Sequence, residues 1–141
     1  MALTLDPERP LSPQMRVIEN AILVPWGDGD WQGMARPAGA FTADGEYCHD
    51  AQTFRSGGKP TTVKPLPPAP AEIDSTVNGT MLYGGMAYGH FGHALCESLS
   101  RLWALDSFDE TIDAVAYIPK QKLTWPERSL SMVRNIAASL G

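Results

Sequence analysis

The side chains with the greatest capacity for chemistry stand close together in this sequence: His90, His93, Glu97 and Arg101. His93, Glu97 and Arg101 recur every four residues, the spacing that stacks side chains along one helix face. An imidazole there serves as a general base toward a hydroxyl group. A carboxylate one turn on holds that imidazole in a single tautomer. A guanidinium one turn further pairs with the carboxylate or with an anionic ligand. The same residues admit two other readings. Glu97 and Arg101 form a structural ion pair with His93 merely packed at the helix start, or His90, His93 and Glu97 gather around one cation in a metal-dependent hydrolase. The His-Glu-x-x-His spacing of zinc hydrolases is absent.

These residues need a scaffold, and the run Tyr83-Gly84-Gly85-Met86-Ala87-Tyr88-Gly89-His90-Phe91-Gly92 before them reads as a glycine-rich loop entering a helix. Glycine lets a backbone approach a ligand closely, which makes Gly85 and Gly89 candidate substrate contacts; a tight strand-to-helix turn explains them without any ligand. The glycine spacing is neither a P-loop nor a dinucleotide fingerprint, so no cofactor is expected. From Phe91 onward, Leu95, Leu99, Leu102 and Leu105 follow helix periodicity and predict a buried apolar stripe, with Cys96 buried in the same helix.

The run around His93, Glu97 and Arg101, continued by Leu102-Trp103, resembles the signature of glycosyltransferase family 61, which includes bacterial capsular-polysaccharide transferases. Ser100 stands where family members often carry Pro before the Arg. The resemblance implies transfer of a sugar from a nucleotide-sugar donor to a glycan acceptor in polysaccharide biosynthesis. It implies His93 and Glu97 as catalytic residues and Arg101 as a substrate-binding residue, and His90, Gly85 and Gly89 join them as substrate-binding candidates from their place at the loop and helix start. It also implies a chain that is the N-terminal part of a two-lobed transferase, with the donor held largely by a missing C-terminal lobe. A non-catalytic carbohydrate- or protein-binding domain of the same origin is the alternative.

Composition is compatible with that reading. The 141 residues are 43% hydrophobic and 19% charged, enough to build a core within one ordinary domain. A net charge of −5 argues against a nucleic-acid surface. Lys120 and Lys122, the close basic pair, read as a solvated loop. No secretory leader or membrane-spanning run is recognisable, so a cytoplasmic protein with reduced Cys48 and Cys96 is expected.

Residues 1–14, with Pro7, Pro10 and Pro13, read as an irregular arm, and 15–141 as one α/β domain. Met15 to Pro25 predicts strand. The acidic turn Gly27-Asp28-Gly29-Asp30 lacks the closing Glu of a calcium loop. Asp44-Gly45 predicts a two-residue hairpin turn, and Cys48-His49-Asp50 after it a surface strand end. The Pro/Gly-rich stretch 56–71 predicts a connecting loop. Thr80 to Tyr83 and Ala114 to Ile118 predict strands, and Trp125 to Leu140 a helix capped by Thr124 with Leu130, Val133, Ile136, Ala137 and Leu140 inward. The expected fold is mixed α/β: antiparallel N-terminal hairpins, then a Rossmann-like layer resembling the N-terminal lobe of a two-lobed (GT-B-like) transferase. A helix meant to face a second lobe would leave apolar surface and promote self-association.

Overall fold

A computed structural model describes residues 15–27, 35–55, 58–120 and 126–139. The expected arm over 1–14, the acidic turn at Asp28 and Asp30, Lys122, the cap at Thr124, Trp125, Leu140 and the Ala137 side chain lie outside the described part. The architecture is mixed α/β, assembled from paired strands.

In the first half, β1 (Ile22–Val24) runs antiparallel to β3 (Gly39–Phe41), with Ile22 opposite Phe41. β2 (Arg36–Pro37) lies parallel to β6 (Thr62–Val63), and β4 (Phe54–Arg55) antiparallel to β5 (Lys59–Pro60). The parallel pair departs from the expected run of hairpins. It forms because the chain between its strands is long enough to cross over. Phe41 bridges Tyr47 across the predicted hairpin turn. That turn is not the two-residue kind. Gly45 N–H donates to the Thr42 carbonyl at 3.0 Å and Gly45 alone takes a positive φ there, +82°, so the loop has three residues with glycine at its left-handed position.

The stretch 56–71 is more than a connector. Thr61 and Thr62 are fully buried, because Thr53 satisfies their polar groups. Its hydroxyl lies 2.6 Å from the Thr61 hydroxyl, its N–H donates to Thr62 Oγ1 at 3.0 Å, and its carbonyl accepts from Thr61 N–H at 2.8 Å.

The second half is a β–helix–β unit. β7 (Met81–Ala87) pairs in parallel with β8 (Ala114–Pro119), and a helical segment, 91–105, connects them. Gly84 and Gly85, expected in a loop, belong to β7. A Cβ at Gly84 would run into the Tyr117 ring, and Gly85 adopts φ +87° where the register shifts. These glycines serve strand packing and a bulge.

The predicted apolar stripe holds only in part: Leu99 packs against the core and Leu102 is half-buried. Phe91 is 60% exposed, and Leu95, Trp103 and Leu105 are also exposed, whereas Ala94, Ser98 and Ala104 face inward. The reason is close approach: Ser98 Oγ donates to the Met86 carbonyl at 2.8 Å and accepts from Tyr88 N–H at 3.1 Å. A backbone held that near has no room for leucine. Cys96, expected to be buried, is exposed for the same reason, and Cys48 is buried; both are free thiols. On this side α2 (Pro126–Ser139) contributes Val133 and Ile136, which pack on Ala87 and Ala94, with Leu99, Leu130 and Tyr117 at the margin. Among the described residues no helix is long and apolar enough to cross a membrane.

Candidate functional site

The site grows from the end of β7. Past Ala87 the buried Tyr88 is followed by Gly89 and by His90, whose extended backbone (φ −111°, ψ 129°) caps α1 (Phe91–His93). The Ala94 N–H donates back to the His90 carbonyl at 2.8 Å. The next turn, Ala94–Ser98, is a π-helix, closed by the Leu99 N–H donating to the Ala94 carbonyl at 3.2 Å. A single π turn inside a helix is frequent at functional sites, because it widens the helix and redirects side chains.

His93 caps this turn and Glu97 lies within it, and the two are joined by a hydrogen bond from Nδ1–H to Oε1. In a neutral imidazole that bond holds the proton on Nδ1 and makes Nε2 the acceptor. The imidazole is further fixed by its neighbours. It stacks on the Tyr88 ring (centroids 5.2 Å apart, 25° between planes) and meets the His90 ring edge-on at 5.5 Å. The other Glu97 oxygen, Oε2, is buried and has no hydrogen-bond partner among the described residues. An unmade bond of this kind costs about 1–3 kcal/mol and is typically retained where a side chain is held for a purpose.

Arg101 does not complete the ladder. Its guanidinium donates to the Asp50 carbonyl at 3.0 Å and lies 5.0 Å from the centre of the Tyr83 ring. Ser100 Oγ, adjacent to it, donates to the Glu97 carbonyl at 2.7 Å. The expected Glu97–Arg101 ion pair is therefore replaced by a tie to the first half of the chain. Both residues nevertheless line one open cleft of about 170 Å³. Gly84 and Gly85 form its floor at the β7 bulge, where a Cβ on Gly85 would sit 3.9 Å from Arg101 Nε. Gln52, Thr53 and the half-exposed Phe54 ring supply another wall, with Cys96 and Ser100 beside Glu97.

The anticipated residues thus separate into groups. His93 bonds Glu97, His90 adjoins His93, and Arg101 and Gly85 face the Glu97 cleft. Gly89 is a half-buried turn residue outside it. Among the described residues no group of three His, Cys, Asp or Glu side chains is arranged to hold a metal ion. His90, His93 and Glu97 do not converge in that way, since His93 and Glu97 spend facing atoms on each other.

Tyr88, Cys96, the Gln52–Phe54 wall and Lys120 adjoin these residues without having been expected as site residues. Lys120, expected in a solvated loop, is half-buried with its ammonium 4.8 Å from the Tyr88 ring centre. Its place just after a strand of a parallel pair was the available signal, because ligands of open α/β sheets gather at carboxyl ends of strands. The Tyr83 phenol, packed between two core clusters, is pushed up to about 12 by burial, with Arg101 opposing and Tyr47 adding to the shift.

Compared with protein-family models, with curated proteins and with solved structures, the chain matches none of them.

Proposed function

We propose that this chain is the acceptor-side part of a family 61-like glycosyltransferase that moves a sugar from a nucleotide-sugar to a glycan. One observation carries the reading: Glu97 joins the His93 imidazole to a cleft that also holds Arg101 and the Phe54 ring. A carboxylate, a guanidinium and an open aromatic face are a suitable lining for a sugar, whose hydroxyls take polar contacts and whose ring faces are apolar. On this reading His93 Nε2 takes the proton from an acceptor hydroxyl as its oxygen forms a bond to the anomeric carbon. The bond from that carbon to the donor diphosphate breaks, and the diphosphate leaves with the electron pair. Glu97 holds the tautomer and stabilises the imidazolium that forms. β7, the connecting helix, β8 and α2 are then the beginning of a Rossmann-like layer in one of two lobes, and the exposed Phe91, Leu95 and Trp103 are surface that a second lobe or a second copy would cover.

The test uses the protein purified from its own cell, with its intact mass measured first. It is incubated with a panel of uridine-, guanosine- and cytidine-linked sugar donors and with glycan acceptors, and released nucleotide is followed. Acceptor-dependent release that falls about 100-fold or more in His93→Ala is the expected result. Glycan binding without release from any donor, unchanged in His93→Ala, overturns transfer and leaves a carbohydrate-binding domain.

A further inference from the structure

The proline-rich stretch that follows β6 has no part in the transfer proposed above, and its burial repeats every three residues. Pro65 is buried and Pro68 half-buried, whereas Lys64, Leu66, Pro67, Ala69 and Pro70 are exposed, Leu66 at 89%. Three is the period of a polyproline II helix, which therefore has three edges. One edge, Pro65 and Pro68, lies against the protein. A second carries Lys64, Pro67 and Pro70, spaced about 9 Å apart along the axis. The third carries Leu66 and Ala69. The backbone at Ala69, φ −68° and ψ 151°, is that of polyproline II, and proline fixes φ at 65, 67, 68 and 70. The far end is tied down by a reciprocal pair: Ala69 N–H donates to Glu72 Oε2 at 2.7 Å, and Glu72 N–H donates to the Ala69 carbonyl at 2.8 Å.

We infer that Lys64–Pro70 is a docking segment for a partner protein with an SH3-type groove, a row of aromatic rings ending in carboxylates. Grooves of this kind seat proline-rich segments in their polyproline II form. Leu66-Pro67 and Ala69-Pro70 offer two such apolar pairs one turn apart, both on the exposed edges. Lys64 stands one turn before Pro67, where its ammonium meets the acidic end of the groove. The buried Pro65 and the Glu72 tie hold the segment in its binding form, so little conformational freedom is lost on docking. Single exposed apolar side chains are common on any surface. Here they are sorted onto two edges of one regular helix, which is what a groove reads. Docking of this segment does not depend on the transferase reading.

The test adds the whole protein to a panel of isolated, isotope-labelled SH3 domains that prefer a basic residue before Pro-x-x-Pro, and follows their amide shifts by NMR at about 0.15 M salt. Saturable shifts lining the aromatic groove of at least one domain are expected. Affinity should fall about 10-fold or more in Pro67→Ala and about 5- to 10-fold in Lys64→Glu. It should change less than about twofold in Lys59→Glu, an exposed lysine on β5. Lys64→Glu keeps the test decisive should Pro67→Ala alter the fold, because Lys64 is exposed and its urea midpoint should match the parent. Absence of saturable shifts with every domain, shifts away from the groove, or an equal loss in Lys59→Glu overturns the inference. Binding to WW domains alone, indifferent to Lys64→Glu, overturns the SH3-type partner. His93-dependent nucleotide release stands or falls separately from each of these outcomes.

Discussion

The Arg101 guanidinium donates to the backbone carbonyl of Asp50, 3.0 Å away across 51 residues of sequence, while Glu97, one turn before it, bonds His93. Two residues spaced for an ion pair thus work separately, one tying the helix to the first half of the chain and one holding an imidazole. Glu97→Gln and Arg101→Lys should therefore be nearly additive in urea unfolding, with a coupling below about 0.5 kcal/mol. Arg101→Lys alone should cost about 1 kcal/mol through the lost hydrogen bond and ring contact. A coupling well above 1 kcal/mol would restore the ion pair.

Ser98 is fully buried, and its hydroxyl serves both Met86 and Tyr88, while its carbonyl accepts from the Tyr117 hydroxyl at 2.9 Å. Ser98→Ala removes the hydroxyl and leaves buried backbone groups short of a partner. A loss of about 2–4 kcal/mol is expected in denaturant unfolding. Ser98→Thr should also destabilise, since the extra methyl has no space where the helix lies against β7. A neutral Ser98→Ala would mean that the helix does not approach β7 so closely.

Tyr83 gives a pH dependence with a definite sign. Its phenol is held up at about 12 in the fold, against about 10 in an unfolded chain. The folded state therefore keeps a proton that the unfolded state releases. The contribution is fully present below about pH 10 and is lost as pH rises toward 12, amounting to about 2–3 kcal/mol. Because the hydroxyl has no hydrogen-bond partner among the described residues, Tyr83→Phe should be within about 1 kcal/mol of neutral at pH 7. Between pH 10 and 12 it should lose stability less steeply than the parent, as read by urea midpoints across that range. Parallel slopes in the two proteins would refute the assignment.

The thiols should separate cleanly. Burial pushes the Cys48 thiol up, whereas Cys96 is exposed at the rim of the Glu97 cleft. An aromatic disulfide reagent should modify Cys96 promptly and Cys48 at least about 100-fold more slowly, since local opening must come first. Cys96→Ser should abolish the fast phase. Two fast thiols would contradict the buried position of Cys48.

Local features of the chain were readable where local physics decides them. Four-residue spacing brought His93 to Glu97, Gly45 closed a hairpin, the apolar run at Ala114–Ile118 became a strand, and Leu130, Val133 and Ile136 made the inner face of a helix that begins at Pro126. Elsewhere periodicity misled. Leu95 shares its spacing with Leu99, yet the small Ala94 and Ser98 went inward.

By itself, then, the sequence determined elements and neighbours within a turn of one another, because backbone hydrogen bonding and side-chain spacing act over that range. Only the tertiary structure decided that Gly84 lies in a strand against the Tyr117 ring, that Arg101 reaches Asp50, that Thr53 draws Thr61 and Thr62 into the core, and that Lys120 comes to rest over Tyr88. Each of those outcomes depends on how closely distant backbones approach, and that distance is set by packing across the molecule.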